Sequence, residues 1–92
     1  MMRTNGKIVL KGHFKNTGFG FSCFQKATSL NVTGKFEYHS EKEVEIVTYG
    51  EKNAIQIFYQ WCINQDFPEL GELFFLSVKP KHYNDFQIIN QL

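Results

Sequence analysis

Between Glu43 and Gln65 the hydrophobic period of the chain changes from two to three-and-four, with only Gly50 between the two patterns. Glu43-Val44-Glu45-Ile46-Val47-Thr48-Tyr49 alternates charged or polar with apolar residues, which is the pattern of a half-buried strand. From Glu51 onward, Ala54, Ile55, Phe58, Trp61 and Cys62 recur at spacings of three and four and form one apolar stripe of a helix. Glu51 suits the positive end of the helix dipole. Asp66-Phe67-Pro68 stops the helix. A one-faced strand followed by a one-striped helix fits a sheet with its helices packed on one side.

The remaining segments extend this pattern. Lys7 to Phe14 reads as a strand with Ile8, Leu10 and Phe14 on one face and Lys7, Lys11 and His13 on the other. Phe21 to about Asn31 reads as a short helix using Phe24, Ala27 and Leu30, and Ser22 with Gln25 has the form of a capping box that would start it. Val32 to Tyr38 is a second strand, and His39-Ser40-Glu41-Lys42 a hairpin turn. Leu73 to Val78 is a strand apolar on both faces, broken by Pro80, and Phe86 to Ile89 is a short last strand. The order is β-α-β-β-α-β plus a small strand. It predicts the α+β class: a ferredoxin-like split βαβ fold, an antiparallel sheet with two helices on one face. Residues 1–92 make a single domain, since this length leaves no room for a second core. Residues 1–5 are expected to be loosely held.

Composition excludes several function classes. An apolar fraction of 42% with ten phenylalanines is enough for a packed core, so disorder is not expected. No apolar run reaches membrane-spanning length, and Met1-Met2-Arg3-Thr4-Asn5-Gly6 lacks a secretory signal, which predicts a cytoplasmic protein without a membrane partner. Cys23 and Cys62 read as packing residues. With three scattered histidines they do not make a zinc motif, so no metal or cofactor is expected. Net charge is only +1, but residues 1–36 hold six bases and no acid, and the rest nine acids and four bases. If the first group clustered in space, its field would favour an anion near residues 12–22.

That stretch, Gly12-His13-Phe14-Lys15-Asn16-Thr17-Gly18-Phe19-Gly20-Phe21-Ser22, is a glycine-rich loop opening onto a helix. Helix N-termini present unpaired N–H groups and partial positive charge, and glycines let backbone close around a phosphate. Lys15, Asn16, Thr17, Gly18, Phe19, Gly20 and Phe21 are the candidate anion-binding residues. A plain turn between strand and helix explains the same glycines.

Over about residues 7 to 90 the chain resembles the acylphosphatases. That family carries a phosphate loop of the form G-V-x-F-R, and Gly18-Phe19-Gly20-Phe21-Ser22 is similar to it. Its G-W-V-x-N strand motif is matched by Gly34-Lys35-Phe36-Glu37-Tyr38. Val44-Glu45-Ile46-Val47 and Gly50 match the next strand, Ala54-Ile55, Phe58 and Trp61-Cys62 the second helix, and Asp85-Phe86-Gln87-Ile88-Ile89 the last strand. The resemblance implies metal-free hydrolysis of the carboxyl-phosphate bond. The motif's arginine would clamp the phosphate, its asparagine would position water, and loop amides would hold phosphoryl oxygens.

Ser22 stands at the arginine position and Tyr38 at the asparagine position. The loop is then about two residues longer than the family's. An ungapped loop, with Lys15 where the family often has a basic residue, is the other alignment. A charged clamp aimed at transition-state charge is worth on the order of 10²–10³ in rate, and neither serine nor tyrosine supplies one. The reading is an acylphosphatase-like protein with lost or strongly reduced hydrolysis and residual anion binding. The alternative is an active acylphosphatase rebuilt around Lys15, Ser22 and loop amides. A nucleic-acid-binding or regulatory module is a third reading. Glu43 and Glu45 on one strand face would repel a phosphate backbone, so no nucleic-acid partner is expected. No motif names a protein partner.

Overall fold

The computed structural model describes residues 3–76 and 79–89. Its elements are β1 (Arg3–Gly12), α1 (Phe19–Ser29), β2 (Thr33–Ser40), β3 (Glu43–Glu51), α2 (Lys52–Ile63), β4 (Pro68–Phe75) and β5 (Phe86–Ile89). The strands form one sheet in the order β4-β1-β3-β2-β5. The even-numbered residues of β1, β2 and β3 face the helices. Ile8, Leu10, Phe36, Val44 and Ile46 are fully buried, as are Phe19, Cys23 and Ala27 of α1 and Ile55, Phe58 and Cys62 of α2. This is the expected ferredoxin-like α+β fold. No described helix is long and apolar enough to cross a membrane.

The sheet is mixed rather than antiparallel throughout. β1 pairs antiparallel with β3 and β4, and β2 with β3, but β5 runs parallel to β2. β4 and β5 lie at opposite edges of the sheet and point in opposite directions, so the crossing from the end of β4 to the start of β5 joins two points at the same end, past β1, β3 and β2. Asn5 fastens that crossing. Its buried amide donates to the Thr48 carbonyl at 3.0 Å and the Lys81 carbonyl at 2.9 Å, and its oxygen accepts the Lys81 N–H at 2.6 Å. Residues 3–5 pair in the ladder with Glu51, Gly50 and Tyr49 of β3, and are strand rather than a loose end. Residues 1 and 2 lie outside the described residues.

Other boundaries differ for local reasons. β1 stops at Gly12 because the N–H groups of Gly12, His13 and Phe14 turn to the carbonyls of Lys42, Phe67 and Glu41. α1 starts at Phe19, three residues before the serine expected to cap it. Gly18 is its N-cap, in the left-handed region at φ 71°, and the Ser22 N–H already bonds the Gly18 carbonyl inside the helix. The capping oxygen comes from Thr17, whose Oγ1 accepts the Phe19 N–H at 3.2 Å. Starting the helix earlier turns Cys23 and Ala27 to the core, and Phe24 becomes a partly exposed neighbour of Phe86. β2 continues through His39 to Ser40, which shortens the hairpin turn. β4 begins at Pro68, where a missing N–H costs nothing at the strand's first residue. The expected strand end at Ser77 and Val78 lies outside the described residues.

Gly34 sits near the start of β2 at φ 142°, and a Cβ there would strike the Val47 carbonyl across the ladder. Gly34→Ala should lower stability by about 1–3 kcal/mol, the range for a strained backbone position. Urea unfolding would read this as a lower midpoint, and an unchanged midpoint would contradict the close approach of β2 and β3.

Candidate functional site

The loop between β1 and α1 is bent by two left-handed residues, Asn16 at φ 60° and Gly18 at φ 71°. Asparagine is among the few side chains that enter this region readily, and glycine enters it without penalty. The loop and the first turn of α1 border a cavity of about 290 Å³, lined by Phe14, Asn16, Gly18, Gly20, Phe21, Tyr38 and Ile88. None of these lining residues carries a charge.

Tyr38 enters from β2, edge-on to Phe36 with ring centroids 4.9 Å apart. Its phenol oxygen meets the first turn of α1. A Cβ built on Gly20 would lie 3.5 Å from that oxygen, and the Gly20 backbone N–H is close enough to favour the ionised phenol. Burial pushes the Tyr38 phenol above its ordinary value of 10.0. The Gly20 N–H partly offsets this, and the Cys23 thiol adds slightly to the rise. The phenol is therefore neutral across the physiological range. Burial also raises the Cys23 thiol, which hydrogen-bonds to Cys62. Both cysteines are free and buried, as packing residues would be.

The structure brings Asn16, Gly18, Gly20, Phe21 and Tyr38 together around the cavity. Four other sequence candidates are placed elsewhere. Lys15 pairs with Glu41 at 3.0 Å, both side chains more than half exposed, and does not line the cavity. Thr17 shapes the loop, donating from Oγ1 to the Phe14 carbonyl at 2.7 Å while capping α1. Phe19 is fully buried, stacked on Phe14 at 5.3 Å and Trp61 at 6.4 Å. Ser22 lies one half-turn beyond Gly20 and is absent from the lining. Two lining residues were not singled out by sequence. Phe14 looked like the end of a strand's apolar face, and Ile88 like an ordinary last-strand residue. Only contacts across the fold reveal them.

The base-rich first part of the chain does not gather into a positive patch at this cavity. Lys7 pairs with Glu45 at 3.4 Å and His13 sits 3.3 Å from Glu69, while Lys15 is held by Glu41. Two of the six bases, Lys7 and Lys15, thus lie directly beside acids from the second part. The helix N-terminus still offers its dipole. One of its amides, Phe19's, is taken inside the protein by Thr17, and Gly20's lies beside the Tyr38 phenol.

A ferredoxin-like sheet with a left-handed loop opening onto the first helix defines a small α+β domain with its site at the β1–α1 junction. The sequence model of the acylphosphatase family matches residues 6–88, and the chain belongs to that family. It is 34% identical over 55 residues to an acylphosphatase of Caldanaerobacter subterraneus, a match covering 60% of this chain and 61% of that protein, so it spans about three-fifths of that relative's length. With an acylphosphatase of Vibrio parahaemolyticus it shares 26% identity over 86 residues, covering 90% of this chain and 93% of the relative. The solved acylphosphatase of Coxiella burnetii superposes with a TM-score of 0.83 at 25% identity, covering 94% and 92% of the two chains.

The raised Tyr38 value has a consequence for stability. The folded state keeps the phenol proton to a higher pH than the unfolded chain, whose phenol titrates near 10. Stability is unaffected below that value and falls as pH rises through the folded-state value. Urea unfolding from about pH 8 to about pH 11 should show a smaller loss for Tyr38→Phe than for the natural protein. Parallel curves would contradict the environment assigned to Tyr38.

Proposed function

We propose that this protein keeps the acylphosphatase scaffold but has lost most acyl-phosphate hydrolysis, its phosphate cradle being filled by its own tyrosine. One observation carries this reading: the Tyr38 phenol stands beside the Gly20 N–H in a cavity with no charged lining residue. A phosphoryl oxygen would need that same N–H. It would also need a cation to offset its dianionic charge, and a desolvated dianion without one is costly.

The geometry favours the ungapped loop alignment. In that register Gly18-Phe19-Gly20 lies on the x-F-R of the family motif. Phe19, not Phe21, is the fully buried phenylalanine, and Gly20, not Ser22, faces Tyr38. The arginine position is then Gly20. The two departures from the family pattern act as one change: glycine opens space beside the loop, and the larger side chain at position 38 fills it. Lys15 is a weak substitute for the clamp, since it is tied to Glu41 outside the cavity. Phosphate binding at the remaining loop amides is correspondingly weak.

The test is hydrolysis of benzoyl phosphate by the natural protein and by the pairs Gly20→Arg with Tyr38→Asn and Ser22→Arg with Tyr38→Asn. The natural protein should give no turnover above background. The Gly20 pair should gain activity, since one charged clamp is worth on the order of 10²–10³ in rate. The Ser22 pair should gain none. Ordinary family turnover by the natural protein would refute the loss. Gain by the Ser22 pair alone would refute the alignment.

A further inference from the structure

On the face of the sheet away from the helices, Glu37 of β2 lies directly opposite Glu45 of β3 in the ladder. Like charges directly opposite each other in an antiparallel pair repel, and a cation held between them removes that repulsion. His39 supplies a ligand beside them. The β2–β3 register shifts between Tyr38 and Ser40, leaving His39 as the extra residue of a bulge. A bulge re-aims a side chain, and the His39 Nε2 comes to 3.6 Å from the Glu45 Oε1. One ligand atom from each of Glu37, His39 and Glu45 lies within 4.8 Å of the others, with the two glutamates half-buried and the histidine exposed. The Lys7 Nζ approaches the same Glu45 oxygen at 3.4 Å.

We infer that Glu37, His39 and Glu45 form a binding site for a divalent transition-metal ion of the zinc class. Carboxylate oxygens and an imidazole nitrogen bind Zn²⁺ at about 2.0–2.2 Å, which in a tetrahedron puts donor atoms about 3.3–3.6 Å apart. The three side chains reach that spacing by small rotations, because two hydrogen-bonded strands already fix their backbones. One imidazole with two carboxylates is a borderline donor set that suits Zn²⁺ better than Ca²⁺ or Mg²⁺. Three protein ligands leave an open position for water or an exogenous ligand. Lys7 is the competing cation, holding the Glu45 charge until the metal displaces it. The site lies across the sheet from the Tyr38 cavity and does not rest on the reading of that cavity.

The experiment is calorimetric titration of the tag-free protein with Zn²⁺, with the visible spectrum of Co²⁺ as a second readout. One ion per chain should bind. Glu37→Gln, His39→Ala and Glu45→Gln should each weaken binding ten-fold or more, since even outer-shell changes cost about 10–100-fold. His13→Ala and His82→Ala should leave it unchanged, and Lys7→Met should tighten it several-fold. All these positions except the half-buried glutamates are exposed or partly so, and circular dichroism of each variant confirms its fold. In the His39→Ala spectrum the imidazole contribution to the Co²⁺ bands should vanish. No binding at millimolar Zn²⁺, or binding of undiminished affinity in His39→Ala, would overturn the site.

Discussion

Phe19 is the contact on which the rest of the site depends. It is the first residue of α1 and fully buried, and its ring packs against Phe14 of the loop, Phe36 of β2, Trp61 of α2 and Phe67 before β4, at centroid distances from 5.3 to 6.4 Å. One side chain thus ties the loop to both layers of the fold. Edge-to-face and offset aromatic pairs add directional preference to the burial itself. With Phe19 inserted, the helix phase is set. Gly20 must face β2, Cys23 and Ala27 must face the core, and Ser22 turns toward the periphery. The meeting of Gly20 with Tyr38 follows from this phase.

The same phase explains why the loop has the outline of an anion site with an uncharged lining. Its shape is retained: two left-handed residues and a helix start that aims amides at a cavity. Its electrostatics are not. The cavity wall is aromatic, aliphatic and neutral, and the nearest loop cation is occupied by Glu41. A neutral phenol stands beside the Gly20 amide at the start of the helix. Tyr38 also packs the first turn of α1 against β2.

Much of the fold was legible because it rests on periodicity. The alternation of Glu43 to Tyr49 and the stripe from Ala54 to Cys62 survive intact as β3 and α2. What failed was set by single contacts that no period encodes. The capping oxygen of Thr17 moved the start of α1 to Phe19. The ladder from Arg3 to Asn5, clasped by the Asn5 amide, made strand of an expected loose end. The direction of β5 depends on which end of the sheet the chain crosses. For the site, Tyr38 and the loop glycines could be read from motif spacing. The loop alignment could not, because Phe19 and Phe21 satisfy the same pattern and only burial tells them apart. Charge blocks along the chain also misled, since Glu41, Glu45 and Glu69 fold back beside the bases of the first part.

The central claim is that Tyr38 occupies the loop amide of Gly20. Proton NMR of that amide tests it most directly, by chemical shift and by exchange with solvent in the natural protein and in Tyr38→Phe. The account predicts that removing the hydroxyl moves the Gly20 proton upfield and speeds its exchange, while amides in the middle of β3 stay protected. An unchanged shift and exchange rate at Gly20 would contradict it.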